Sequence, residues 1–295
     1  MATIRQVRQR IRVAKNIQQI TKAMKMVAAA RLKRAQDRVT AARPYAGTMR
    51  EMMTKLATAA GGEVQHPLLE VRPAQNIGFL VITSDRGLAG SYNSQMLRRA
   101  SELLKQYDKS RVKIYAVGRK GIQFFKRRGF NVVQEFTVNS TAVTLANARE
   151  ITAAVRKAFE SGEVDEMQLL YTRFYTAITQ KPMDIQLLPL VTPENDPEEA
   201  LLAKTAQGNE DYIFEPSAEE LLSNLLPRYL EGQVFQALLE SGASEHGSRM
   251  TSMSNATDNA GKMITTLTLQ LNRARQAGIT REISEIVGGA EALKG

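Results

Sequence analysis

The first part of the chain, residues 4–60, reads IRQVRQRIRVAKNIQQITKAMKMVAAARLKRAQDRVTAARPYAGTMREMMTKLATAA. Apolar or small residues recur along it at alternating steps of three and four, from Ile4 to Leu56, with interruptions at Gln18 and Lys25. This spacing is the heptad seam of a left-handed coiled coil. A helix of this length would be roughly 85 Å long, whereas helices of globular domains average about 11–12 residues. The sequence therefore predicts a long N-terminal helix that needs a second helix to cover its seam.

A second helical seam runs from about Ser217 to Leu293. Ser217, followed three residues later by Glu220, forms a capping box that indicates a helix start. The apolar stripe that follows consists of Leu222, Leu225, Phe235, Leu238, Leu239, Met250, Met253, Ala256, Ala260, Met263, Leu267, Leu271, Ala274, Ile283, Ile286, Ala290 and Leu293. We expect Pro44 and Pro227 to bend the two helices, because proline removes a backbone donor and clashes with the preceding turn.

The two helices are expected to pair with each other in antiparallel fashion. Such a pair, joined through the middle of the chain, places residue 60 beside residue 218 and residue 4 beside residue 274. Residues 275–295 then extend beyond the pair by about 30 Å of single helix. Because this extension is apolar and has no partner within the chain, we expect another protein to receive it.

The register of this pair also places residues 22–28 beside residues 250–256. The nearby N-terminal segment 17–28 carries a second apolar stripe made of Ile17, Ile20, Met24 and Val27. Two apolar faces on one helix predict contact with something besides the helical partner.

Between the helices, strands alternate with helices, starting with the apolar strand Asn76–Thr83. This alternation predicts a mainly parallel sheet covered by helices. The fold class is therefore mixed α+β, with a long antiparallel coiled coil of the N- and C-terminal helices and a central α/β (Rossmann-like) domain. The predicted organisation is an N-terminal helix at 1–60, the central domain at 74–192, a connecting loop at 193–216, and a C-terminal helix with a protruding tip at 217–295.

Composition excludes several kinds of chemistry. The 295 residues include no cysteine, so disulfides, thiolate catalysis and cysteine-based zinc sites are absent. Only two histidines occur, His66 and His246, and we expect both to be ordinary polar residues. The sequence contains no run of eighteen apolar residues, so it predicts no membrane-spanning helix. We therefore expect no catalytic, cofactor-binding or metal-binding residues.

The net charge of +10 is concentrated on the first helix. Residues 1–60 contain fourteen Lys or Arg and two acids, Asp37 and Glu51, whereas the rest of the chain contains twenty-six bases and twenty-eight acids. A localised positive field favours an anionic partner. Charge alone does not distinguish among nucleic acid, lipid headgroups and an acidic protein surface.

The segment Ser84–Gly90, SDRGLAG, follows a predicted strand and opens a helix. A nucleotide-binding loop would occupy this place, but the segment lacks the lysine of GxxxxGK[ST] and the spacing of GxGxxG. We interpret it as a structural turn. The alternative is a stand-alone enzyme that uses this segment as a phosphate cradle.

A second alternative is a coiled-coil nucleic-acid-binding protein. The face formed by Arg5, Arg8, Arg12 and Lys15 favours it. However, Tyr45 is the only aromatic residue before Ile77, so this segment offers almost no side chain on which bases could stack.

Three segments together resemble the gamma subunits of F-type ATP synthases. They are Ile20–Ala29 (ITKAMKMVAA), SDRGLAG at 84–90, and the long stretch from Ala243 through Ala292. The resemblance spans essentially the whole chain and best fits a bacterial enzyme.

This resemblance implies a non-catalytic rotor shaft that enters a hexamer of alternating alpha and beta subunits. The α/β domain would sit, with epsilon, on the membrane-embedded c-ring. Rotation driven by proton or sodium flow would change the beta sites, where ATP is made or hydrolysed. The chain would be peripheral, on the cytoplasmic face of the cell membrane.

The resemblance also assigns residues. Those matching positions at beta-subunit loops are Lys22, Met24, Lys25, Arg249, Arg275, Gln276 and Thr280. Those at the tip, turning in an apolar sleeve, are Ile283, Ile286, Val287 and Leu293. Those on the side of the c-ring and epsilon are Tyr212 and Phe214.

Overall fold

The computed structural model describes residues 3–59, 66–190 and 217–292. Two long helices, α1 (Ile4–Ala59) and α5 (Ala218–Ala292), begin and end the described chain. Between them lie the other elements: β1 (Ile77–Ile82), α2 (Tyr92–Leu104), β2 (Val112–Val117), α3 (Arg119–Arg127), β3 (Asn131–Phe136), α4 (Leu145–Glu160), β4 (Glu166–Phe174) and β5 (Gln180–Leu188), with short 3-10 turns at Pro67–Leu69 and Lys109–Arg111.

The chain divides into two compact units. The first unit consists of Met1–Ala28 and Met250–Gly295, and the second is Ala29–Arg249. Each long helix therefore contributes residues to both units.

In the first unit the two helical segments pair in antiparallel fashion. The Thr257 hydroxyl donates to the Thr21 hydroxyl at 2.8 Å. One turn further along α5, Gly261 lies next to Gln18, since a Cβ added to Gly261 would be 3.1 Å from Gln18 Nε2. Residue numbers therefore rise along one helix as they fall along the other. The sequence register places residue 21 opposite residue 257, and this contact confirms it.

Seam residues of the first unit are buried as the heptad pattern predicts. Val7, Ala14 and Ala28 are nearly inaccessible, and so are Met253 and Ala260 of the other helix. One prediction is wrong: Met263 is 56 % exposed, whereas its neighbour Ile264 is half-buried and occupies the stripe. A shift of one residue rotates a side chain by about 100° around the helix, so a stripe assigned by spacing alone can miss the buried face.

The second unit is built on a five-stranded sheet with the order β3-β2-β1-β4-β5. Strands β1 to β4 are parallel, and β5 returns antiparallel to β4. Strand β1 is buried at all six positions because it lies at the centre of the sheet. Its core partners include Met96 and Ala100 of α2 and Phe125 of α3. The predicted mixed fold with a helix-covered sheet is confirmed.

The helices continue through both prolines, where the sequence predicted bends. Pro44 lies within α1 and Pro227 within α5. Pro44 is exposed, so the carbonyl that loses its donor can bond to water instead. Neither helix stops and resumes at its proline.

The segment Ala237–Gly247 of α5 is buried on every side, which an amphipathic stripe does not predict. Strand β4 extends beyond its last partner in β1, where Leu170 pairs with Val81. Side chains of α5 bond the exposed backbone edge there: Ser241 Oγ accepts from Thr172 N at 3.3 Å, and the Ser244 hydroxyl donates to Thr172 O at 3.1 Å. Polar residues are therefore buried in this part of α5 because they complete the hydrogen bonds of the sheet.

Candidate functional site

The N-terminal helix of the first unit is basic and its charges are unbalanced. Among the described residues, none of the Lys or Arg side chains of residues 3–28 forms an ion pair. Arg5, Arg8, Arg12 and Lys15 are all exposed. Because no carboxylate neutralises them, the positive field of this helix acts on whatever lies around it.

The second apolar stripe of this helix is open to solvent. Ile17, Ile20 and Val27 are 47 %, 59 % and 51 % exposed, and Met24 is half-buried. Lys22 and Lys25 lie exposed beside them. An apolar stripe flanked by free lysines suits a partner surface that is apolar at its centre and acidic at its rim.

The predicted contact residues fall into two separate groups. Lys22, Met24 and Lys25 lie near Thr257, whereas Arg275, Gln276 and Thr280 are exposed further along α5. From position 257 to position 275, α5 rises about 27 Å. The structure therefore does not bring the two groups together, and any partner that contacts both is long or has several arms.

Residues 281–290 of α5, which belong to the segment assigned as the tip, are all exposed. Ile286 is 71 % exposed, and Ile283 and Val287 exceed half. Leu293 lies outside the described residues, as do Tyr212, Phe214 and the predicted connecting loop 193–216. Within the described chain, the apolar side chains of the tip have no covering element.

Arg249 differs from the other predicted contact residues because it is buried, at 9 % exposure. Its Nη2 lies 2.7 Å from Glu245 Oε1, one helical turn earlier, and donates to Gly87 O at 3.2 Å. Its guanidinium thus joins α5 to the SDRGLAG segment inside the second unit. The contact of Arg249 with a beta-subunit loop stays a prediction, and little of its surface is available for it.

The SDRGLAG segment is held by internal bonds. The Asp85 carboxylate accepts from Arg119 N at 3.0 Å at the first turn of α3, and Asn93 Oδ1 accepts from Ser84 N at 3.0 Å. Gly90, at φ 55°, and Leu88, at φ 63°, adopt the left-handed conformation. With these groups engaged, the segment is a structural turn that connects α2, α3 and α5 rather than a backbone cradle for phosphate.

The two histidines have different environments. His66 is an ordinary polar residue whose Nδ1 accepts from Leu68 N at 3.1 Å. His246 is 1 % exposed, and its burial lowers the pKa of the imidazole. Arg249 and Arg31 act in the same direction, whereas Glu245 and the Ser140 backbone oppose them. The expectation that His246 is ordinary is wrong. The available signal was the polar run Ser244–His246 within a helix whose neighbours are apolar.

Two further properties limit the chemistry of the described residues. Among them, no group of three or more His, Asp or Glu side chains is arranged to hold a metal ion. Every helix in the described ranges is too short or too polar to traverse a lipid bilayer.

Comparison with known proteins identifies the family. The ATP synthase family matches residues 3–293. The ATP synthase gamma chain of Desulfitobacterium hafniense is 50 % identical over 294 residues, covering 100 % of both chains, and that of Heliobacterium modesticaldum is 49 % identical, covering 99 % of this chain and 100 % of the relative. A chain in the central stalk and c-ring structure of the Tetrahymena thermophila mitochondrial ATP synthase is 28 % identical with a TM-score of 0.60, covering 80 % of this chain and 99 % of that one. With this coverage and identity, the chain belongs to the family of ATP synthase gamma chains.

Proposed function

We propose that this chain is the central rotor shaft of an F-type ATP synthase and carries no catalytic site of its own. Rotation of the c-ring, driven by proton or sodium flow, is transmitted through it to the beta subunits, where ATP is synthesised or hydrolysed. The observation that carries the proposal is full-length identity of 50 % with an ATP synthase gamma chain. The unbalanced basic helix and the uncovered tip of the first unit supply the physical surfaces that this function needs.

A shaft acts on several identical sites only if it presents a different surface to each. A ligand or partner shifts a conformational equilibrium only by its difference in affinity for the two states. The first unit offers such differences around its circumference: one side carries Ile17, Ile20 and Val27, and another carries the arginines at positions 5, 8 and 12. As it turns, each beta subunit meets a different surface in sequence.

We assign the proposed contacts as follows. Lys22, Met24 and Lys25 meet an acidic beta-subunit loop. The two lysines attract its carboxylates because no carboxylate of the described chain pairs with them. Arg275, Gln276 and Thr280 meet a second set of loops further along α5. Ile283, Ile286, Val287 and Leu293 turn within an apolar sleeve formed by the alpha and beta subunits.

The opposite end of the proposed assembly contacts epsilon and the c-ring, with Tyr212 and Phe214 on that side. The chain then lies at the cytoplasmic face of a bacterial cell membrane as a peripheral component. No observation favours the nucleic-acid alternative over this assignment, since the basic helix has no aromatic residue except Tyr45 and the matched relatives are gamma chains.

Co-expression with alpha and beta subunits tests the proposal. The tagged chain should copurify with both. In membranes that contain the complete synthase assembled with this chain, ATP hydrolysis should drive transport of the coupling ion. Lys22→Glu combined with Lys25→Glu should lower this coupling, while Lys33→Glu, an exposed change on the same helix, serves as the control. The proposal would be contradicted if the tagged chain purified without the alpha and beta subunits, or if the purified chain alone hydrolysed ATP.

A further inference from the structure

A cavity of about 410 Å³ lies within the second unit, at the carboxyl ends of β1, β2 and β3. Its walls are Ser84–Arg86 after β1, residues 137–141 after β3, and the face of α5 that carries Ser241 and His246. In parallel α/β sheets, ligands bind outside the carboxyl ends of the strands. The volume is at the lower end of the about 300–1,000 Å³ that small-molecule sites occupy.

The charges on the cavity wall do not cancel. Arg31, Arg86 and Arg249 line it, together with the carboxylates of Asp85 and Glu245. Each carboxylate already has a partner, since Asp85 accepts from Arg119 N and Glu245 pairs with Arg249. Within the described part of the chain, Arg31 and Arg86 have no carboxylate partner. Two guanidinium groups are therefore available to an anion.

Neutral donors complete this wall. The side chain of His246 is 1 % exposed, and its Nε2 has no hydrogen-bond partner within 3.5 Å among the described residues. The Ser140 backbone is the nearest acceptor and makes only a weak interaction with the imidazole. Ser140 and Thr137 also line the cavity, and the described residues offer no hydrogen bond to either hydroxyl. A buried imidazole nitrogen that lacks a close hydrogen bond destabilises the folded chain by the desolvation cost of that atom. A ligand that bonds to this nitrogen recovers that free energy and binds more tightly.

We infer that this cavity binds a small phosphate-bearing anion, with its phosphate against Arg31, Arg86 and His246. Arginine prefers phosphate and carboxylate because its planar group donates two parallel hydrogen bonds. Two free arginines, an imidazole and two hydroxyls offer more donors than one carboxylate can accept, and this number suits the oxygens of a phosphate. Space beyond the phosphate admits the organic part of a phosphate ester.

This site differs from a phosphate-binding loop. In such a loop the backbone amides cradle the phosphate, whereas here Ser84 N bonds to Asn93 and Arg119 N bonds to Asp85. Recognition therefore comes from side chains, and the ligand is bound without being hydrolysed.

Isothermal titration calorimetry on the full-length chain, in a buffer free of phosphate, tests the inference with inorganic phosphate and AMP as probes. We expect one saturable site per chain with a Kd below about 1 mM, and tighter binding of AMP if the organic part is also held. Arg86→Gln should weaken binding about tenfold. Because Arg86 is exposed and only its backbone carbonyl is hydrogen-bonded, this variant should fold normally.

Arg31→Gln should weaken binding by a similar factor, and Arg34→Gln is the matched control, since Arg34 is exposed on the same helix and does not line the cavity. Circular dichroism verifies that each variant is folded. Absence of saturation by both probes up to about 10 mM, or equal affinities of the Arg86→Gln and wild-type chains, would overturn the inference. Coupling by the assembled complex is a separate readout, so failure of this site and failure of the proposed function are distinguishable.

Discussion

The buried ion pair between Glu245 and Arg249 should be a strong determinant of stability in the isolated chain. The two side chains are 7 % and 10 % exposed, and their charged atoms are 2.7 Å apart. Removing one partner of a buried pair leaves an uncompensated charge, which typically costs about 3–5 kcal/mol. Arg249 keeps its bond to Gly87 O when Glu245 is replaced. We therefore expect the lower value, about 3 kcal/mol, for Glu245→Leu.

Differential scanning calorimetry of the full-length chain measures this effect. For units of 150–250 residues, 1 kcal/mol shifts the Tm by about 2–4 °C, so each single variant should lower the Tm of the second unit by about 6–12 °C. Arg249→Met should lower the Tm by at least as much as Glu245→Leu, because it also removes the bond to Gly87 O. The double variant should lower the Tm by clearly less than the two single variants added together, because neither charge is then left unpaired.

Arg275→Met provides the matched control. Arg275 lies on the same helix and is exposed, so its replacement should leave the Tm unchanged. If Arg249→Met also left the Tm of the isolated chain unchanged while abolishing coupling in the complex, the reasoning would be refuted. Arg249 would then act through another subunit rather than through Glu245 and Gly87.

The other predictions concern a turn, a buried histidine and the tip. Gly118→Ala should lower the free energy of unfolding by at least about 2 kcal/mol, because Gly118 has φ 89° and a Cβ there would overlap the Thr83 carbonyl; Gly129→Ala, at φ 70° with open space around it, should lose less in the same denaturant titration. His246 has a lowered pKa in the folded chain, so below its ordinary value of 6.5 the unfolded chain binds more protons and the folded chain is destabilised, by up to about 1.4 kcal/mol per pH unit. His246→Gln should reduce this loss between pH 7 and pH 5.5, and an unchanged slope would contradict the assignment. Ile286→Asp should leave the Tm unaltered, since Ile286 is 71 % exposed, but should reduce the torque of the assembled complex; a fall in the Tm would mean that the tip packs within the chain.

Periodicity predicted the parts of the fold in which one repeated pattern determines burial. The heptad seam predicted two paired helices, and joining them through the middle of the chain predicted the antiparallel register, which the bond between Thr257 and Thr21 confirms. The apolar run at residues 76–83 placed β1 within one residue of its observed bounds at each end. In both cases the signal is summed over many positions, so a single unusual residue does not obscure it.

Sequence reasoning was less successful where tertiary contacts override the local pattern. Ser241 and Ser244 look like a weak point of a helix, but they are buried because they bond the free edge of β4. Arg249 looks like a surface charge, and only the folded chain shows Glu245 and Gly87 O around it. The cavity beside His246 likewise depends on residues distant in sequence, such as Arg31 and Ser140, that no spacing rule relates.

Rotation of this chain within the assembled complex is the most direct test of its function as a shaft. Cysteine is absent from the sequence, and Val71 is 83 % exposed, so Val71→Cys provides a single attachment point for an optical probe. With cysteine-free alpha and beta subunits fixed to a surface, addition of ATP should turn the probe continuously in one direction. A probe that keeps a fixed orientation while the same complexes hydrolyse ATP at the normal rate would contradict the account.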